Sequence, residues 1–210
     1  VGVVPPRIRD RCRDSLGLQV LGVDRDALVE LVLIGARLLH VHGHVVHHFL
    51  EDLLRLEIHD EADIAVHSMK DVPMHLPEGL MMSAMTARGS VEDVFVSEKF
   101  HSIEDLPPGA RVGTSSARRK TILQREYPHL ESVDVRGNVQ TRLQKCETGE
   151  VNALILAAAG LERLDLSNKI TQRLPIDPWL PAPGQGAIGV ESRVDDLQIN
   201  HYLKALNDQA

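Results

Sequence analysis

Residues 153–158 read Ala-Leu-Ile-Leu-Ala-Ala, between Val151 and Gly160. So short and nearly uninterrupted an apolar run reads as a strand covered on both faces. Working outward, Val139–Cys146 reads as a helix ending near Gly149, and Glu131–Val135 as a strand. Ser115–Tyr127 reads as a helix with Ser115 or Ser116 as its cap. Arg111–Thr114, Val91–Ser97 and Asp63–His67 are further short strands. Pro175, Pro178, Pro181 and Pro183 mark a connection, Ala187–Glu191 a last strand, and His201–Asn207 a helical tail. Strands alternating with helices predict an α/β fold with a mostly parallel sheet. The segment around Val94–Leu180 looks self-contained, with the last strand returning to the first domain.

The amino-terminal part reads less sharply. Ala27–Leu39 fits a helix or a buried strand, and Phe49–Leu56 an amphipathic helix. His40, His42, His44, His47 and His48 have spacings that suit a metal, yet no Cys partner or His-Glu-x-x-His pattern accompanies them. No metal site is assigned.

Composition narrows the function. The 210 residues carry a formal charge of -7, a field that repels phosphate backbones and argues against a general nucleic-acid binder. Aromatics are only 3%, so the core must be aliphatic. Two Cys without close spacing suit a reducing cytoplasm. No stretch approaches the roughly 18–20 apolar residues of a membrane span, and no export signal is recognised.

Four groups of residues carry chemistry. Asp71, in the loop that Pro73 follows, can move a proton or hold a cation, and Lys70 can pair with a carboxylate; spacing alone favours an ordinary surface Lys-Asp pair. Thr114, Ser115 and Ser116 lead into a helix start where backbone N–H groups and hydroxyls attract anions. Arg118 and Arg119 could fork onto carboxylates there, the alternative being a capped helix with two solvated arginines. In Arg136-Gly137-Asn138, Asn138 can cap the helix that carries Arg142, and Arg163 follows the buried strand; solvated helix faces are the competing account. Pro183-Gly184-Gln185-Gly186 is a hinge or a binding turn.

Read together, Asp63–Pro73 (DIAVHSMKDVP), Val112–Lys120 (VGTSSARRK), Arg136–Leu143 (RGNVQTRL), Leu154–Leu164 (LILAAAGLERL) and Pro181–Glu191 (PAPGQGAIGVE) resemble the porphobilinogen deaminase (hydroxymethylbilane synthase) family in order and spacing. The resemblance spans about Ala62 to Asn207. It implies two periplasmic-binding-protein-like lobes with an interlobe cleft: residues 1–90 plus 184–210, and residues 91–183. It implies a transferase of porphyrin biosynthesis that polymerises four porphobilinogen into hydroxymethylbilane and releases ammonia, acting as a cytoplasmic monomer without nucleic-acid or membrane partners.

By motif position, the resemblance makes Asp71 the catalytic carboxylate. It makes Lys70, Ser115, Ser116, Arg118, Arg119, Arg136, Arg142 and Arg163 holders of acetate and propionate groups, with Thr114 in the same turn and Gln185 near the cofactor. That cofactor is a dipyrromethane, carried in the family on a Cys of a Gly-Gly-Cys-like loop in a third domain. Neither Cys12 nor Cys146 stands in that context, so this chain is expected to be inactive alone. The first sixty residues also lack the family's Arg-x-Ser strand and Gly-Lys-Gly loop. The alternative is a non-catalytic binding module for pyrrole carboxylates or other small polyanions.

Overall fold

A computed structural model describes residues 63–208 and the backbone of Leu38–His40. Residues 27–37 of the Ala27–Leu39 reading, the Phe49–Leu56 reading, and the side chains of His40, His42, His44, His47 and His48 lie outside the described residues.

The strands are β1 (Leu38–His40), β2 (Ile64–Ser68), β3 (Leu80–Met85), β4 (Asp93–Val96), β5 (Arg111–Gly113), β6 (Glu131–Val133), β7 (Ala153–Ala157), β8 (Gln172–Arg173) and β9 (Ile188–Arg193). The α-helices are α1 (Ala117–Glu126), α2 (Val139–Glu147), α3 (Ala158–Glu162) and α4 (Leu197–Leu203). Two compact units result. Gly89–Gly186 form one; the described residues up to Arg88 and from Ala187 form the other.

In the Gly89–Gly186 unit the sheet order is β6-β5-β7-β4-β8. The period of two along β4 and β7 sends alternate side chains to opposite faces. Phe95, Ala153 and Ile155 join Val112, Ile122 and Leu123 on one side. Val94, Val96, Leu154 and Leu156 join Leu143, Cys146 and Leu161 on the other. Helix α1 therefore covers one face and α2 the other, which is why β7 reads as a continuous apolar run. Each fully buried aliphatic side chain contributes about 1.5–3 kcal/mol. Ser116 caps α1, and Pro128, just beyond Tyr127, cannot continue the helix. Asn138 caps α2 by accepting from the Thr141 N–H at 2.8 Å.

The other unit holds a sheet of order β1-β2-β9-β3. Ile64, Val66, Ala84, Ile188 and Val190 face Ile199 and Leu203 of α4. Strand β9 lies inside the sheet and is almost wholly buried, whereas edge strand β3 exposes Met81 and Met85.

The expectation of mostly parallel sheets needs correction. β1–β2, β5–β6 and β5–β7 are parallel, but β9 runs antiparallel to β2 and β3, and β4 antiparallel to β7 and β8. Apolar periodicity reports which faces are covered; it carries no information about strand direction. Strand β3 itself escaped the sequence reading because its Met, Ser and Ala lack the β-branched signature of a strand.

Close packing at β5 gives a testable consequence. A Cβ at Gly113 would stand 2.6 Å from Val135 Cγ2 and 2.8 Å from Leu154 Cδ2. Gly113→Ala should destabilise this unit by about 1–3 kcal/mol, read as a lower urea midpoint by circular dichroism. An unchanged midpoint would show that the sheet yields at β5.

Candidate functional site

Strand β2 delivers a single 3-10 turn, Met69–Asp71. The turn is seated on β9: the Met69 N–H donates to Ala187 O at 3.1 Å, and the Val72 N–H returns to Met69 O. The absence of a side chain at Gly189 lets the Met69 sulfur lie over β9; a Cβ there would overlap it and sit 2.6 Å from the Met82 sulfur. Lys70 and Asp71 are exposed, and the Asp71 carboxylate has no hydrogen-bond partner among the described residues. One turn back, His67 Nε2 and Glu191 Oε2 share a 2.7 Å hydrogen bond, both side chains buried. The turn is thus held by backbone and packing, leaving its carboxylate to solvent.

The second cluster lies wholly in the Gly89–Gly186 unit. The Ser116 hydroxyl accepts from the Arg119 N–H, its own N–H donates to Thr114 Oγ1 at 3.3 Å, and the Ser115 side chain is exposed. Arg118 and Arg119 converge on a carboxylate of the chain itself, that of Asp93. Arg118 Nη1 lies 2.8 Å from Asp93 Oδ2, and Arg118 Nη2 donates to Asp93 Oδ1 at 3.1 Å. Arg119 Nη2 donates to the same Oδ1 at 2.7 Å, and its Nη1 to Ile155 O at 3.0 Å. Gln185 Nε2 adds bonds to Asp93 Oδ1 and Val91 O, while Arg118 also donates to Leu180 O. Asp93 is fully buried and Arg119 nearly so; Arg118 keeps 24% of its side chain exposed.

Burial alone would raise the Asp93 carboxyl, but hydrogen bonds from Arg119 and Arg118, the Arg119 charge and Gln185 outweigh it and hold the group below the ordinary aspartate range. The sequence reading overlooked Asp93. Its signal was an acid opening an otherwise apolar strand, a position that demands a cationic partner.

Arg163 reaches the same neighbourhood from the end of α3, donating to Gly186 O at 2.6 Å; burial lowers its pKa. Arg136 is exposed ahead of α2, and Arg142 Nε donates to Gly137 O at 2.7 Å. Arg118, Arg119, Arg163 and the Gln185 turn are therefore brought together, Arg136 and Arg142 stand at the start of α2, and Lys70 and Asp71 belong to the other unit.

An anionic ligand suits this donor set, since Ser115 is exposed, Arg118 is partly so, and α1 begins beside them. A thiol anchor is another matter. Cys146 is buried in the core, its Sγ 3.9 Å from Val96 O, and burial pushes its thiol pKa up. Among the described residues there is no cluster of three metal-ligating side chains, and no helix long and apolar enough to cross a membrane.

Residues 36–201 match the family model described as porphobilinogen deaminase, dipyromethane cofactor binding domain. Porphobilinogen deaminase of Nitrosomonas europaea is 51% identical over 158 residues, covering 75% of this chain and 51% of that protein. That of Acidithiobacillus ferrooxidans is 52% identical over 159 residues, covering 76% and 51%. The chain spans about half the length of these relatives. Among solved structures, the methionine-binding protein MetQ superposes with a TM-score of 0.52 at 10% identity, covering 74% of this chain and 73% of its own. A periplasmic substrate-binding protein of an ABC transporter from Coxiella burnetii gives 0.51 at 12% identity, covering 75% and 76%. These two likenesses establish a periplasmic-binding-protein fold.

The Asp93 pairing predicts an acid sensitivity. The folded pKa lies below the unfolded value of about 3.9, so its stabilisation is complete above that value and is lost as pH falls through the folded one. Urea midpoints should fall on acidification below about pH 4. Asp93→Asn should be less stable near neutrality and respond less to acid; an equal acid response in both proteins would remove Asp93 as a source.

Proposed function

Because the chain belongs to the porphobilinogen deaminase family, we propose that it is the substrate-handling part of a hydroxymethylbilane synthase, joining porphobilinogen units into a linear tetrapyrrole with release of ammonia. The observation that carries this reading is the exposed Asp71 carboxylate on its seated turn, without a hydrogen-bond partner among the described residues, within a stretch about half identical to curated deaminases. We read it as a cytoplasmic, monomeric enzyme acting on a small molecule.

Porphobilinogen carries two carboxylates, and every added pyrrole brings two more. Lys70, Ser115, Ser116, Arg136, Arg142 and Arg163 are proposed to receive these arms. Arg118 lends its charge, while Thr114, Arg119 and Gln185 act from buried positions. An opposite charge at about 4 Å in a partly screened site contributes up to ~4 kcal/mol of gross attraction. Desolvation of both ions offsets much of that, so a chain of pyrroles needs several cations rather than one.

As ammonia leaves porphobilinogen, positive charge develops on the pyrrole, and the Asp71 carboxylate is suited to stabilise it. The same oxygen can hand a proton to the departing amine and later take one from the new carbon–carbon junction. A dipyrromethane, when bound, supplies the pyrrole carbon to which the first unit is joined. The chain's cations would hold its acidic arms; buried Cys146 does not suit its attachment.

The test is the purified chain with porphobilinogen, followed by calorimetry, ammonia release and mass spectrometry. Expected are binding that Arg136→Ala weakens about tenfold, as loss of a charge-assisted hydrogen bond implies, no adduct on Cys146, and no sustained turnover. Turnover by this chain alone would overturn the last point. If turnover occurs and persists unchanged in Asp71→Asn, the assignment of Asp71 fails. Absence of any binding would sink the reading as a whole.

A further inference from the structure

The carboxylate that Arg118 and Arg119 grip ties together three separate pieces of chain: the start of β4, the first turn of α1 and the Pro183–Gly186 turn. Oδ1 accepts hydrogen bonds from Arg118, Arg119 and Gln185, and Oδ2 lies 2.8 Å from Arg118 Nη1 as an ion pair without a hydrogen bond among the described residues. One negative charge faces two positive ones, leaving the cluster one positive charge in excess. Arg119 is enclosed, so the outward part of that excess lies on Arg118, directly after the Ser115–Ser116 step that opens α1. Both Nη nitrogens of Arg118 point at acceptors of the protein, so its plane is set before any ligand arrives.

We propose that Asp93 is a positioning residue: it locks the first turn of α1 through the two arginines, and so fixes where the Ser115 hydroxyl, the opening amides of α1 and the Arg118 charge meet a ligand carboxylate. The ligand part rests on the reading of the chain as a handler of pyrrole carboxylates; the positioning part does not. Two other accounts make opposite predictions. If only net charge mattered, removing the Asp93 charge would strengthen anion binding, because the cluster would gain positive charge. If Asp93 were a stand-in that a ligand carboxylate displaces, its removal would likewise free Arg118 and tighten binding. A carboxylate wholly enclosed and held from three elements fits a fixed support.

The experiment compares the wild-type chain with Asp93→Asn, using porphobilinogen as the calorimetric probe and amide hydrogen exchange as a ligand-free readout. Expected are a Kd weakened about tenfold or more, as loss of a charged hydrogen-bond partner implies, with stoichiometry unchanged. Faster exchange should be confined to the amides of residues 115–119, with α2 unaffected. A merely structural defect would lower the bound fraction and leave the Kd of folded molecules alone, and that result overturns the proposal. Equal or tighter binding by Asp93→Asn overturns it as well. Should wild type bind no porphobilinogen, the substrate reading fails while exchange still decides on positioning, and unchanged exchange refutes it. If Asp93→Asn does not fold, Arg118→Lys keeps the charge but gives up the two-point grip. It should show the same local exchange and weaker binding, and wild-type behaviour would refute the lock.

Discussion

A carboxylate shielded from water is tolerated only where cations and hydrogen-bond donors replace its hydration shell. Asp93 sits under that constraint, and much of the Gly89–Gly186 unit is arranged to meet it. Arg119 turns inward from α1 instead of outward, giving one hand to Asp93 and the other to the carbonyl of Ile155 in β7. Gln185 reaches across from its glycine-flanked turn to the same oxygen. The helix start, the sheet and the returning chain therefore share one electrostatic anchor, while Arg118 lies at its partly exposed margin. In such a network a pairwise energy has little meaning, because each partner is held in place by the others.

The two chemically loaded regions are built differently. Asp71 is placed by backbone hydrogen bonding and by a methionine sulfur lying over Gly189, so no charged neighbour among the described residues occupies its oxygens. That suits the proton-exchanging role proposed for Asp71. The start of α1 is instead placed by charge pairing, which holds a cation in one orientation. Positioning by packing leaves a carboxylate available for chemistry; positioning by ion pairing gives orientation but engages donors that a ligand would otherwise use.

Much of the fold could be read from residue pattern. The apolar run of β7, the Ser116 and Asn138 caps and the run after Pro183 all announce their elements, because burial on both faces and helix capping each leave a local signature. Strand direction leaves none, so the antiparallel placement of β4 and β9 needed the coordinates. The site was legible as a set of motifs but not as a set of contacts. Arg118 and Arg119 stood out as a pair, yet their partner is 25 residues away from Arg118 along the chain, on a strand whose acid looked incidental. Likewise His67 and Glu191 are 124 residues apart and meet only because β2 and β9 are neighbours.

That distance bears on how such residues should be weighed. An acid within an otherwise apolar strand costs stability unless its partners are assembled by the fold, so it marks a place where long-range structure has to be correct. Asp93 and Glu191 both occupy such places, one near each region that carries chemistry. They differ in their partners. Each has one oxygen without a hydrogen bond among the described residues, Asp93 Oδ2 and Glu191 Oε1, but Asp93 Oδ2 still lies 2.8 Å from Arg118 Nη1. Asp93 is met by two guanidinium groups and an amide, Glu191 by the His67 ring. Glu191 is paired across β2 with Ala65, four residues before Met69 and the turn that carries Asp71. The orientation of Arg118 thus rests on charge, whereas the turn that carries Asp71 rests on backbone hydrogen bonds and packing.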